Sequence, residues 1–474
     1  MTLASGPNTF WDDVFNRYPE RTALVSADGQ SISFSQLDRA ISNLSDLLTD
    51  YGAGEGSRIS CSIPNFAVTV ASWFATWRIG GHVMTAQDPE QFVQFGLAPD
   101  FVLTPSNKTA SVGATVPVHP KLLIDEYGAQ RRAPAGKTYF HTANTPRDVR
   151  AMAVGPNQLT QDARNYCHLL GPATGAVYMT TGLSSLRAMR DVFRALNSGV
   201  HVIGGDVAPE TAWPTIRNNK VRELMLSPLS LHLLLKHAQK DDQSHKIDRV
   251  FVGAGTATVT LLKRAHAFFG DVIELGAGTN ETSVYSWKKF DPLTYRSGEI
   301  GKTCCGVRAE VRDEMGRPLP PDQPGRLALR VPPLQRFEGY INASPAYDTD
   351  GWVYPGFLAT MDDCGELTKL ERTDDRINLG GTRFFSGKIE AQIERLASVE
   401  RAAAIRVYAE DGAEALGIVV EPGQDFDADQ LKELLARSIT GIGEVFVRSM
   451  SSLPTNGSGT LDRKSVERLW SELR

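Results

Sequence analysis

The sequence predicts an α/β fold: a large N-terminal domain with mostly parallel sheets and a β-rich region, then a small mobile α/β C-terminal domain. Three observations predict it. From residue 31 onward, short apolar runs alternate with amphipathic stretches, and glycine or proline marks the joins. From 298 to 342 the helical period gives way to β-rich sequence with recurring turn residues. After the charged block 371–376, Gly380-Gly381 breaks the chain and alternation resumes on a smaller scale. The boundary is placed between residues 372 and 373, giving domains 1–372 and 373–474.

The elements follow in order. Ile32-Ser33-Phe34 reads as a short strand, and Leu37, Ile41, Leu44 and Leu48 fall on one face of the helix after it, with Ser35 and Asp38 at its start. Residues 58–63 form a strand, 66–79 a helix that Gly80-Gly81 ends, and 83–84 and 101–103 strands around a short helix. Residues 173–240 read as strand, glycine turn, helix, strand, then another helix-strand pair. Val250-Phe251-Val252 runs into the small-residue turn Gly253-Ala254-Gly255. Beyond the junction, 402–407, 416–420 and 445–447 are strands, with helices at 388–396 and 428–438.

Composition excludes several function classes. The chain has 474 residues, 41% apolar and 22% charged, with a net charge of −5, so it offers no electrostatic footprint for nucleic acid or anionic membranes. No apolar run reaches membrane-spanning length. Its five cysteines lack metal-ligand spacing, and Cys304-Cys305 reads as packed core or strand. The odd cysteine count and a first stretch without signal-peptide regions suit a soluble, cytoplasmic protein. A serine hydrolase is disfavoured, because no G-x-S-x-G occurs.

Two stretches carry the chemistry. Residues 351–390 contain Trp352, Gly356-Phe357-Leu358, Gly365-Glu366-Leu367, Arg372-Thr373-Asp374-Asp375, Gly381 and Ile389-Glu390. Residues 272–282 contain Gly276-Ala277-Gly278-Thr279-Asn280-Glu281-Thr282. Taken alone, the first is a surface loop and Glu281 a solvated turn carboxylate.

In order and spacing, however, the first stretch resembles the junction of the AMP-forming adenylate enzymes: acyl-CoA synthetases, luciferases and peptide-synthetase adenylation domains. That family's pattern runs W-x-x-T-G-D-L, G-Y-L, G-R-x-D-D and G-x-x-I-x-P-x-E-I-E. The second stretch is similar to its G-Y-G-x-T-E-T motif, 250–255 to its G-G-A-P loop, and 453–463 to its terminal P-x-x-x-x-G-K-x-x-R motif. Collinear blocks cover about residues 10 to 470.

The resemblance implies an acyl-CoA synthetase-like fold and site roles. Glu281 would bind Mg2+ and act with Arg372 in catalysis. Gly253, Ala254, Gly255, Gly276, Ala277, Gly278, Asn280, Met179 and Met225 would line the nucleotide and substrate site. Asp374 would be the hinge, and Gly381 would line the thiol passage. The substrate would be an acyl or aryl acid or its thioester, with an apolar pocket (Met179, Leu183, Met225, Val284), and the acceptor CoA or the phosphopantetheine arm of an acyl carrier protein.

Departures weigh against ATP and Mg2+. Phe357 stands at the ribose-binding aspartate, Thr460 at the catalytic lysine, Ala277 at the adenine-side aromatic and Asn280 at the phosphate-touching threonine. The phosphate loop becomes Thr142-Ala143-Asn144-Thr145-Pro146, without glycine, and Arg147, Arg150 and Lys464 are the charges that stand near the gaps. Three readings stay open: an acid-activating ligase with compensating charges, a scaffold performing non-ATP acyl chemistry on a thioester or carrier-bound substrate, and a catalytically inactive binding or partner subunit.

Overall fold

The computed structural model describes residues 13–86, 88–119, 135–142, 150–204, 209–343, 346–372, 376–379, 382–409, 414–438, 444–455 and 461–472. The elements around the site are helix α1 (Pro156–Leu170), strand β1 (Ala176–Met179), helix α2 (Leu186–Asn197), and strands β2 (Val202–Gly204), β3 (Val221–Leu226), β4 (Arg249–Val252), β5 (Ile273–Thr279) and β6 (Ser283–Lys289).

Strands β5, β4, β3, β1 and β2 lie side by side in that order, all parallel, and Thr22–Ser26 continues the run beyond β2. These strands are short and almost wholly buried, as a parallel sheet covered on both faces requires. The chain leaves β1 through α2 toward β2 on one side. From β3 it proceeds to β4 and β5 on the other. A topological switch point therefore falls between β1 and β3, where open α/β sheets bind ligands beyond the strand carboxyl ends.

Beyond β5 the sheet turns antiparallel through β6 and takes in the β-rich region, including Gly325–Arg330, Phe357–Met361 and Leu367–Arg372. A second sheet of seven strands contains the hairpin Thr138–Thr142 and Arg150–Val154, on whose edge Gly339–Tyr340 is laid antiparallel. The largest apolar core joins the two helices Phe34–Asp50 and Phe66–Arg78 to α2. The expected face of the first helix is buried throughout: Leu37, Ile41, Leu44 and Leu48 have no exposure.

Three local expectations change. The first helix is capped by Ser33, whose side chain accepts from the Gln36 N–H while Gln36 reaches back to the Ser33 N–H, so the capping box sits two residues before Ser35. Gln36 completes that box; the Asp38 carboxylate is instead bonded to Arg78. Cys304 and Cys305 lie in a turn after strand Glu299–Thr303, half-buried, with Cys305 at φ +54°. The helix placed at 388–396 runs Ser386–Ile393, and Leu396 packs on its core from the turn beyond.

The C-terminal part has its own three-stranded sheet, Glu414–Pro422 flanked by Val399–Tyr408 and Val445–Ser449. Helices cover both faces: Ile389, Ile393, Leu431 and Leu435 fill one core, and Val466 with Leu453 the other. Among the described residues no helix is long and apolar enough to cross a membrane.

Candidate active site

Glu281 occupies the turn joining β5 to β6. That turn is tight. A side chain at Gly278 would press on the Ser283 carbonyl, Ser283 adopts φ +59°, and the Thr282 hydroxyl accepts from the Thr279 N–H at 3.3 Å. The geometry turns Glu281 inward, and only 2% of it is exposed. The Tyr340 hydroxyl donates to its Oε1 at 2.7 Å, and the Tyr347 hydroxyl donates to its backbone carbonyl at 2.8 Å. Phe337 packs against both tyrosine rings. Burial pushes both phenols well above their ordinary range, and the Glu281 charge beside them adds to it.

Arg150 belongs to the same group. Its guanidinium lies 4.6 Å from the Tyr340 ring, so Arg150 and Glu281 meet through one aromatic side chain. Arg150 opens the strand that follows residues 143–149. These residues, with Asn144, Thr145, Pro146 and Arg147, lie outside the described residues.

The expected glycine positions converge. Gly253 follows β4 and Gly276 lies in β5; a Cβ at Gly253 would come 3.0 Å from the Gly276 carbonyl, and one at Gly276 would run into the Phe251 ring. Ala254 is held at φ +64°, Gly255 is exposed, and Asn280 is half-buried beside Glu281. Met179 and Met225 are register partners on β1 and β3, buried in the main core with Phe251 and Val284, while Leu183 packs against it from the turn. They pack in the core beneath the carboxyl ends of β1 and β3.

Ala277 and Phe357 share one apolar cluster with Tyr285, Leu329 and Val353. Phe357 is 9% exposed, with the Lys369 ammonium 3.8 Å from its ring centre. Across the hairpin Phe357 pairs with Arg372. Asp374, Gly381 and Thr460 lie outside the described residues. Lys464 stands on helix Arg463–Leu469, next to Arg463, whose Nε donates to Glu390 at 3.1 Å. That bond ties the end of the junction stretch to the end of the terminal one.

Sequence reasoning did not single out Tyr340 and Tyr347, which fix Glu281, or the buried charges on α1, α2 and β3. Arg190 and Asp162 lie within 3.6 Å of each other, and Ser283 hydrogen-bonds both. Arg194 and Glu223 are joined at 2.7 Å with 1% and 0% exposure. The available signal was charge on helix faces that the apolar period assigns to the core.

Glu281 is the carboxylate suited to a hard cation. No cluster of three His, Cys, Asp or Glu side chains able to hold a metal lies among the described residues. Mg2+ ordinarily takes one or two carboxylates with substrate phosphates and water, so a single fixed carboxylate fits that use and not a protein-enclosed metal centre.

The fold is that of an α/β protein with Glu281 and the glycine turns gathered at the carboxyl ends of a parallel sheet, where open α/β sheets bind ligands. The model of the AMP-binding enzyme family matches residues 11–91 and 160–341. Over 94% of the chain it is 23% identical to the 3-hydroxybenzoate–CoA/4-hydroxybenzoate–CoA ligase of Thauera aromatica, covering 93% of that protein. It is 24% identical to enterobactin synthase component E of Escherichia coli, over 97% and 94% of the two chains. ATP-bound MatB from Rhodopseudomonas palustris superposes with a TM-score of 0.83 at 20% identity, each chain 99% covered. The Bacillus subtilis o-succinylbenzoate CoA synthetase (MenE), in complex with its acyl-adenylate OSB-AMP, superposes at 0.80 with 18% identity, over 98% and 99%. This chain belongs to the AMP-binding enzyme family, the AMP-forming adenylate superfamily that its motifs resemble.

Proposed function

We propose that this chain binds an acyl or aryl carboxylic acid and activates it as the adenylate for transfer to a thiol. In that reaction the carboxylate attacks the α-phosphorus of ATP and pyrophosphate leaves. A thiolate, from CoA or a carrier-borne phosphopantetheine, then attacks the acyl carbon and AMP leaves. The observation that carries the reading is Glu281: a buried carboxylate held by Tyr340, its backbone held by Tyr347, at the end of the parallel run, with Arg150 across the Tyr340 ring. Glu281 would hold Mg2+, which supplies charge neutralisation for the phosphates. Arg150, from the strand after the phosphate-loop position, supplies fixed positive charge in place of loop glycines. The near whole-length likeness to an acid–CoA ligase supports the same reading. On this reading the enzyme is cytoplasmic, and its small domain, beginning at residue 373, moves.

A second reading rests on Phe357 and Ala277. Both replace nucleotide-facing positions of the family's pattern and pack into one apolar cluster, which favours acyl chemistry, or acyl binding alone, without ATP. Titration calorimetry with Mg-ATP and AMP, using Glu281→Ala as the control, separates the two. Micromolar Mg-ATP binding that the control loses, followed by acid-dependent pyrophosphate exchange, supports the ligase. No binding at millimolar nucleotide sinks it.

A further inference from the structure

Arg187 lies in the first turn of α2, at the switch point between β1 and β3. Its Nη2 donates to the carbonyl of Leu226, the last residue of β3, at 3.1 Å. Its guanidinium is 5.5 Å from the Phe251 ring, and Nη1 lies over Gly253, where a Cβ would stand 3.1 Å away. The side chain is 11% exposed. Neither Nη1 nor Nε has a hydrogen-bond partner.

Its neighbours do not neutralise it well. Asp191 approaches Nε at 3.7 Å, beyond hydrogen-bond range, and its other oxygen accepts from the Tyr166 hydroxyl at 2.7 Å. Burial pushes the Asp191 carboxyl upward, which weakens it as a counter-ion. Arg190, one turn on, is engaged by Asp162 and Ser283. A mostly buried guanidinium with two unmade donors is costly in a finished core but is expected where a ligand completes it. Nη1 lies against Gly253, just past the end of β4, where the absent side chain leaves it room, and Nε faces Asp191.

We propose that Arg187 recognises a second carboxylate on the acid, so that the acids this chain selects are dicarboxylic. The proposal rests on the acid-binding reading above and names its substrate class. A ligand carboxylate would accept from Nη1, while Nη2 stays on the Leu226 carbonyl and Nε stays opposite Asp191. The apolar side chains of Met179, Met225 and Phe251 then hold the carbon chain or ring between the two carboxylates.

The test is binding of matched acids to the full chain by calorimetry without ATP: butanoate against succinate, hexanoate against adipate, and benzoate against phthalate and terephthalate. At least one diacid is expected to bind about tenfold or more tighter than its partner, as one charge-assisted contact provides. R187Q should abolish that preference and R187K reduce it, each with an unchanged circular-dichroism spectrum. If R187Q does not fold, wild type and R187K decide. Equal binding within every pair, preference for monoacids, or no binding at millimolar acid overturns the proposal. So does a diacid preference that survives in both variants. Nucleotide phosphates offer similar oxygens, so AMP is titrated in parallel; loss of AMP binding in R187Q with diacid preference intact also overturns it. Absence of pyrophosphate exchange alongside a retained diacid preference removes the adenylation reading and leaves this one standing.

Discussion

The Tyr340 hydroxyl lies 2.7 Å from Oε1 of Glu281, and the same tyrosine ring faces the Arg150 guanidinium at 4.6 Å. Two sheets meet in that contact. Glu281 comes from the β5–β6 turn of the large sheet, Tyr340 and Arg150 from neighbouring strands of the seven-stranded one. Tyr340→Phe removes one donor from a buried carboxylate and should destabilise the protein by about 1–3 kcal/mol in denaturant melts. Glu281→Gln keeps an acceptor for Tyr340 but removes the charge. It should leave stability nearly unchanged, weaken Mg-ATP at least tenfold (about 1.4 kcal/mol) and spare metal-free AMP. Equal weakening of both nucleotides would remove the metal role from Glu281.

Much of this architecture was legible. The parallel run, its glycine turns and the small C-terminal sheet follow from periodicity and turn residues, because packing there agrees with local preference. The cap moved from Ser35 to Ser33 because Gln36, three residues on, completes the box. Glu281 was legible only through its motif. What anchors it was not, since Tyr340 and Tyr347 lie 59 and 66 residues away and no local pattern announces such pairing. Arg187 was hidden for a related reason: an arginine in a first helical turn is ordinarily solvated, and only the β3 terminus folded over it makes it a buried donor.

The buried pair Arg194–Glu223 should behave as a unit. Glu223 also accepts from the Thr174 N–H at 2.8 Å and from Arg249 at 3.3 Å, and Arg194 donates to the Gly171 carbonyl. Burial pushes the Glu223 carboxyl up, but the bond and charge of Arg194 outweigh this and leave it below its ordinary value. Its ionised form is therefore favoured by folding, and that stability is present above the unfolded value and lost as pH falls through the folded one. Arg194→Met strands the carboxylate and should cost about 3–5 kcal/mol, while adding Glu223→Leu should recover part of the loss. A double-mutant cycle in urea measures this. Additive losses would show that the two residues are not coupled.

Glu394 has the opposite sign. Burial pushes its carboxyl up to about 7, although it accepts the Ala402 N–H at 3.0 Å. Folding favours the protonated form, so its contribution is fully present below the unfolded value and lost as pH rises through about 7. Glu394→Gln keeps the acceptor and removes the titration. Relative to wild type it should gain stability progressively from pH 5 to 8, reaching about 2–3 kcal/mol. Chemical denaturation at the two pH values checks it, and a difference independent of pH would show that Glu394 titrates normally.

The last prediction concerns Phe357 and Thr460, which the resemblance sets at an aspartate and a lysine of the family's pattern. Phe357 fills an apolar cluster beside Ala277, and the Lys369 ammonium lies 3.8 Å from its ring centre. Phe357→Asp removes a large buried ring and should cost about 3–5 kcal/mol, moderated by the nearby ammonium. If the cleft still accepts a ribose, the new carboxylate should tighten AMP about tenfold, one charge-assisted hydrogen bond's worth, despite the lost stability. If Thr460 stands at the lysine position of the family's pattern, as the resemblance implies, Thr460→Lys should raise acid-dependent pyrophosphate exchange about 10²–10³-fold. The two substitutions test binding and chemistry separately. Tighter AMP without faster exchange would locate the deficit at Thr460. Faster exchange in Thr460→Lys alone would mean that Phe357 leaves the ribose contact intact by another route. Neither gain, in variants that remain folded, would mean that the cluster around Phe357 has closed the nucleotide half of the cleft, and would favour acyl chemistry without ATP.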